Sequence, residues 1–309
     1  MRIIFMGNPK FSIPSLKAVN HSDFKVVGVM TNPPKNMGRG RFEHHSPVCM
    51  TAKELGIPLI YADDLQSEDL IAQLEKLKPD LFIIVAYRIL PKKILGIPSI
   101  GSVNLHGSLL PAYRGAAPIQ RAIMNGENET GLTTFLVKST VDSGDILYQQ
   151  KVNICPYDNY GTLSKKMSQI GSELLVKTII DLYLNKIIPR KQDEFAVTSA
   201  PKIHQDEKII HWNDDAEKIS NLIRGLSPTP GASTTIENKS LKIFQAFPET
   251  GELNSPPGTV IERKKKKLSI QTGKGGLAIQ TLQKEGKKRM EIQEFLQGAD
   301  INTGDRLGN

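Results

Sequence analysis

Apolar residues in the first half of the chain come in short continuous runs, separated by stretches with helical spacing. Arg2 to Met6 is such a run, turned by Gly7-Asn8-Pro9, and Ser12 to Val19 reads as a helix. Phe24 to Met30 and Pro58 to Tyr61 follow as strands, with a helix over Cys49 to Leu55 between them. Ser67 to Leu77 carries Leu70, Ile71, Leu74 and Leu77 on one helical face, a period near 3.6. Leu81 to Val85 is apolar throughout, as in a strand covered on both faces of a parallel sheet. Val103 to Leu105 is one more strand. Alternating strand and helix predicts a doubly wound α/β sheet whose sites lie at the carboxyl ends of its strands.

Beyond this sheet, Gly161 to Tyr183 reads as a helix with Thr162 as its cap. Leu184 to Lys208 is mixed and polar and reads as an interdomain connection. One short helix, Ala216 to Leu226, precedes about five short strands: Thr234–Ile236, Leu241–Phe244, Gly258–Ile261, Leu268–Ile270 and Leu277–Ile279. Short strands with turn residues between them predict a small barrel of OB-like type. The expected division is a catalytic domain over 1–189, a linker over 190–206 and an OB-like domain over 207–309.

Composition narrows the class. The 309 residues are 39% hydrophobic and 23% charged, the balance of a folded globular protein. No stretch approaches the ~20 apolar residues of a membrane span, so no membrane partner is expected. Met1 leads directly into an apolar strand, so no secretory or transit segment is expected either. Cys49 and Cys155 are isolated, which fits a reducing cytoplasm and argues against a zinc site. A net charge of +8 suits a polyanionic partner, and 207–309 holds +3 of it, gathered in Arg263–Lys267 and Lys284–Arg289. Gly7 lacks the second and third glycines of a dinucleotide fingerprint, so NAD is not expected.

The chemistry concentrates at Asn104-Leu105-His106. Residues i and i+2 of a strand share a face, so the carboxamide and the imidazole point the same way, with Leu105 turned from them. A carboxamide that donates to an oxyanion, beside a ring that handles protons, suits acyl transfer. By itself the triplet is more often an ordinary polar turn. The later Val141-Asp142-Ser143-Gly144-Asp145 adds two candidate carboxylates, Asp142 and Asp145, in what is also an ordinary turn sequence.

Read together, Asn-x-His-x-Ser-Leu-Leu-Pro, the following Arg114-Gly115 and Asp-Ser-Gly-Asp resemble the folate-dependent formyltransferases over nearly the whole chain. The tail, Gln283-Lys284-Glu285-Gly286-Lys287-Lys288-Arg289-Met290 and Phe295-Leu296-Gln297-Gly298, resembles the branch that formylates methionyl-initiator tRNA. The resemblance implies a Rossmann-like doubly wound catalytic domain and a small OB-like β-barrel. It also implies 10-formyltetrahydrofolate as co-substrate, metal-independent chemistry and a monomer.

The family's catalytic Asn, His and Asp match Asn104, His106 and Asp142, leaving Asp145 to cap local structure. The folate is expected on Arg88, Ile89, Leu90, Ser108, Leu109, Leu110, Pro111 and Val137, with Val137 to Asp142 closing one side. Arg88-Ile89-Leu90 departs from the tRNA branch and looks like the pterin-binding run of glycinamide ribonucleotide formyltransferase. For initiator tRNA the resemblance implies Arg39 and Arg41 on a basic loop, and Lys287, Lys288 and Arg289 in the tail. A second departure is Ser227-Pro228-Thr229-Pro230, where the family commonly has Asn-Pro-Trp-Pro. Two alternatives remain: a sugar-nucleotide N-formyltransferase with the same triplet, and a non-catalytic RNA-binding protein on this scaffold.

Overall fold

A computed structural model describes residues 1–37, 42–237, 239–251 and 255–308. In chain order its elements are β1 (Arg2–Gly7), α1 (Ile13–Asn20), β2 (Lys25–Thr31), β3 (Lys35–Met37), β4 (Phe42–His44), α2 (Pro47–Glu54), β5 (Leu59–Tyr61), α3 (Glu68–Lys76), β6 (Leu81–Val85), α4 (Lys92–Leu95) and β7 (Gly101–His106). There follow α5 (Pro118–Met124), β8 (Glu129–Leu136), β9 (Ile146–Asn153) and α6 (Tyr160–Tyr183). The remainder is α7 (Ala216–Gly225), β10 (Ala232–Ile236), β11 (Lys239–Glu249), β12 (Val260–Lys264), β13 (Lys267–Gln271), β14 (Gly276–Lys284), β15 (Met290–Glu291) and α8 (Ile292–Gly298).

Contacts divide the chain into two compact units. The first comprises Met1–Gly115, Thr130–Asn153 and Ser164–Ala200; the second comprises Ala116–Glu129, Ile154–Leu163 and Pro201–Asn309.

In the first unit a seven-stranded sheet runs β5-β2-β1-β6-β7-β8-β9. The pairs from β5 to β7 are parallel, and β8 returns antiparallel to β7. Alternate residues of β1 and β6, namely Ile4, Met6, Phe82 and Ile84, pack with Leu70 and Leu74 of α3 and Ile94 of α4. Their neighbours Ile3, Phe5 and Ile83 face the opposite way and are also fully buried. That two-sided burial is why these strands read as unbroken apolar runs.

Strands β8 and β9 are not apparent in the hydrophobic pattern. Thr130, Thr133 and Thr134 are buried in β8, with the Thr134 hydroxyl 2.8 Å from that of Thr178. Threonines buried inside the fold look, from sequence alone, like a surface stretch. Residues 190–200, expected to lead between domains, belong to the first unit. Ile146 and Arg190 exchange backbone hydrogen bonds at 2.7 and 2.9 Å, and Arg114 pairs with Ser199.

In the second unit the antiparallel order is β10-β11-β14-β13-β12, with β15 on β14. Ile236 pairs with Leu307 and Thr259 with Arg306, so one two-residue segment bridges the opposite edges of the sheet. A segment that meets both sides of the sheet in this way suits a small barrel. Its core includes Trp212, Ile219, Ile243, Ile279 and Phe295. Asn159, not Thr162, caps α6. Its side-chain oxygen accepts the Thr162 N–H at 3.0 Å, and the Thr162 hydroxyl accepts the Asn159 N–H at 3.0 Å. This reciprocal pair is a capping box, with Thr162 in its third helical position.

Candidate active site

β7 carries Asn104 and His106 to the carboxyl end of the parallel strands, where open α/β sheets hold ligands. Leu105 points away, to where a Cβ on Gly171 of α6 would lie 2.8 Å from its Cδ2. His106 is 7% exposed, so its bonding is set almost wholly by the protein. Its Nε2 lies 2.9 Å from the Tyr113 carbonyl. A carbonyl only accepts, so this nitrogen carries a proton. Nδ1 lies 3.7 Å from Asp142 Oδ2, too long for a hydrogen bond but close enough for strong charge interaction. Asn104 is half-buried, and its carboxamide has no hydrogen-bond partner among the described residues. A donor held at a strand end and unspent within the fold remains available to a ligand.

Asp142 has φ 49, in the left-handed region that Asp tolerates better than most residues. Its Oδ2 accepts the N–H of Gly115 at 2.8 Å. At Gly115 φ is +131, and a Cβ would lie 2.5 Å from the Ala200 carbonyl oxygen, so only glycine suits this position. Asp145 is not a cap: its carboxylate accepts from Lys138 Nζ at 2.7 Å, away from His106. Among the described residues no group of three or more His, Cys, Asp or Glu is arranged to hold a metal ion. His45 is half-buried between Glu43 at 3.3 Å and the Cys49 sulfur at 3.6 Å.

Leu90, Leu110 and Val137 come together, since Val137 packs both on the cluster holding Leu90 and on that of Leu110, Phe135 and Ile146. The Ser108–Pro111 turn is fastened from β8 and β9. Thr133 Oγ1 donates to the Ser108 carbonyl at 2.7 Å and accepts the Leu110 N–H at 3.0 Å. Gln149 Nε2 donates to the Leu110 carbonyl at 2.8 Å. Ser108 Oγ is engaged by the Ala112 carbonyl at 2.5 Å, and Leu109 is half-buried. Ile89 is exposed.

The Arg88 guanidinium donates to the carbonyls of Ala62 and Asp63 and to the Tyr87 hydroxyl, clamping the turns after β5 and β6. Its main chain, rather than its head group, is left for a ligand. Burial raises the Tyr87 phenol above its ordinary value, with the neighbouring Arg88 opposing.

Arg39 and Arg41 lie outside the described residues. Lys287, Lys288 and Arg289 are all exposed after β14, but they are not equivalent. The Arg289 guanidinium stacks 3.6 Å from the Phe244 ring centroid and donates to the Pro228 carbonyl at 2.5 Å. In the other basic run, Lys264 pairs with Glu262, and Lys267 with Glu249 and Glu262 at 2.7 and 2.6 Å.

An Asn and a His on one strand face, with a carboxylate held toward that His, form the candidate site. The formyl transferase family model matches residues 1–179 and the formyl transferase C-terminal domain matches 202–300, and the chain belongs to this family. Within it, the chain is 40% identical over 311 residues to the methionyl-tRNA formyltransferase of Desulforamulus reducens, covering all of this chain and 98% of that one. To the methionyl-tRNA formyltransferase of Thermodesulfovibrio yellowstonii it is 42% identical over 303 residues, covering 98% and 97%. The solved methionyl-tRNA formyltransferase of Clostridium thermocellum shares the fold at TM-score 0.56 and 18% identity, over 90% of this chain and 98% of that one.

Proposed function

We propose that this chain moves the formyl group of 10-formyltetrahydrofolate onto the α-amine of methionyl-initiator tRNA, as a cytoplasmic monomer. The observation that carries the reading is the His106–Asp142–Gly115 arrangement beside the unspent carboxamide of Asn104. Full-length similarity to methionyl-tRNA formyltransferases supports methionyl-tRNA as the acceptor.

The neutral amine attacks the formyl carbon, and the carbonyl oxygen takes the negative charge of a tetrahedral intermediate. Asn104 donates to that oxygen, where a fixed donor stabilises the transition state more than the ground state. The attacking nitrogen then loses a proton and the folate N10 gains one. His106, with Asp142 facing its Nδ1, is the group that holds charge or moves that proton. Collapse breaks the carbon–N10 bond and leaves formylated methionyl-tRNA and tetrahydrofolate.

The pterin would lie against main-chain groups of Arg88–Leu90 and the Ser108–Pro111 turn, with Val137 at its side. Lys287 and Lys288 would meet tRNA phosphates from the second unit, and Arg39 and Arg41 would meet the acceptor stem.

The deciding experiment incubates the protein with labelled 10-formyltetrahydrofolate and charged initiator tRNA. Formyl-methionine on the tRNA is the expected product. Label on an amino-sugar nucleotide, with none on tRNA, would replace this reading with the sugar-nucleotide alternative.

A further inference from the structure

Two main-chain carbonyls in the Asp142 turn converge on one side chain from a segment between the two family-model matches. Gln192 Nε2 donates to the Asp142 carbonyl at 2.8 Å and to the Gly144 carbonyl at 2.7 Å. On its other side, Gln192 Oε1 accepts from Arg114 Nε at 3.0 Å and from Arg114 NH2 at 2.8 Å. Carbonyls only accept and a guanidinium only donates, so the orientation of the amide is fixed by its neighbours. Both donors and both lone pairs are used, and no other natural side chain of this length offers two of each. Arg114 is itself held by a two-point pair with Glu194, at 3.1 and 2.9 Å.

The two turns that Gln192 joins are the two that surround His106. One carries the Tyr113 carbonyl for Nε2 and the Gly115 N–H for the Asp142 carboxylate. The other carries Asp142 itself, in its left-handed conformation. The separation of these turns sets where the carboxylate stands relative to Nδ1. The Gly115 N–H grips the carboxylate across this gap, and Gln192 adds side-chain contacts to both of its sides.

We infer that Gln192 is a positioning residue for formyl transfer: it locks the Asp142 turn to the Tyr113–Gly115 turn and so keeps the carboxylate facing His106. It touches no substrate and acts through Asp142. The inference rests on the formyl-transfer reading above.

The test uses full-length protein, steady-state formylation of charged initiator tRNA, and thermal melts to establish folding. Gln192→Met keeps the length and removes both N–H donors and the acceptor oxygen. Gln192→Glu keeps the acceptors for Arg114 and sets a carboxylate against two carbonyls. Both should lower kcat on the order of 10- to 100-fold, the effect of a misplacement of about 1 Å, with KM for each substrate little changed. If the Met variant does not fold, the Glu variant, still paired with Arg114, decides the point.

The readout specific to positioning is a double-mutant cycle. In an Asp142→Asn background, Gln192→Met should have a much smaller effect on kcat than in the wild type. A folded variant with wild-type kcat, or an undiminished effect in the Asp142→Asn background, would overturn the inference while leaving formyl transfer intact. A wild-type protein with no formyl transfer would sink the underlying reading, and this one with it.

Discussion

The Asp142 oxygen that faces His106 at 3.7 Å is the same Oδ2 that accepts the Gly115 N–H at 2.8 Å. One carboxylate oxygen is thus fixed by a backbone donor and presented to the ring, whatever the proton count on the ring. Losing that charge should hurt more than losing its neighbour three residues on. Asp142→Asn is expected to lower kcat about 100-fold or more, as when an electrostatic partner is removed from a preorganised site. Asp145→Asn loses only a surface pair with Lys138, worth ~0–1 kcal/mol, and should leave kcat near wild type. Parallel kinetics on the two variants decide it, and equal losses would exclude Asp142 as the carboxylate that matters.

Asn104→Ala should reduce kcat by about 10²- to 10³-fold with a modest change in KM, because the carboxamide acts on charge that exists only in the transition state. Single-turnover rates at saturating folate measure this directly. A rate within a few-fold of wild type would leave the oxyanion to another donor.

Gly144 packs against the end of β8 so closely that a Cβ would fall 1.5 Å from the Leu136 carbonyl oxygen. Backbone on backbone cannot yield as a flexible side chain can. Gly144→Ala should therefore destabilise the first unit by about 3 kcal/mol or more, the range reserved for overpacking and backbone displacement. Urea unfolding of wild type and variant tests it, and an unchanged midpoint would show that the turn can move aside.

Lys287 and Lys288 have exposed side chains, whereas Arg289 is occupied by Phe244 and Pro228. Changing both lysines to Ala should weaken initiator and elongator tRNA alike and lower the salt slope by up to about two phosphate contacts. Arg289→Ala should in addition lower the melting temperature, through lost stacking. Affinity measured across a salt series, beside thermal melts, separates the two. Selective loss of initiator binding in the lysine variant would mean that the tail reads sequence.

Glu207 lies in a two-point pair with Arg121, at 2.5 and 3.0 Å, and accepts the His204 N–H at 2.8 Å. Arg121 first, and that N–H second, hold its carboxyl at about 2, well below the usual 4.5. A depressed folded value stabilises the protein above the unfolded value, and the contribution is lost as pH falls from about 4.5 toward about 2. Glu207→Gln should cost about 1 kcal/mol at pH 7, since the pair is partly exposed, and progressively less below pH ~4. Denaturation at pH 7 and pH 3 checks the sign. A difference that grows on acidification would contradict the linkage.

Much of the architecture was legible along the chain, because burial repeats locally. Leu81–Val85 is a strand because both of its faces are covered, and Leu70 and Leu74 mark the buried side of α3. The side-by-side placement of Asn104 and His106 also follows from a period of two. Relations between segments far apart in the sequence were decided only by the tertiary structure. Gly115 reaches Asp142 across 27 residues and Gln192 reaches it across 50, in each case through a hydrogen bond between a side chain and the backbone. Such bonds impose no period on the sequence, so the segment holding Gln192 reads as a polar connection. The same reason hides β8 behind its buried threonines, spends the Arg88 head group on clamping two turns, and leaves the contacts of Ile236 and Thr259 to Leu307 and Arg306. Sequence alone determined which faces are buried and which residue types meet on a strand. The three-dimensional fold decided which polar groups are spent on one another and which, like the carboxamide of Asn104, have no such partner among the described residues.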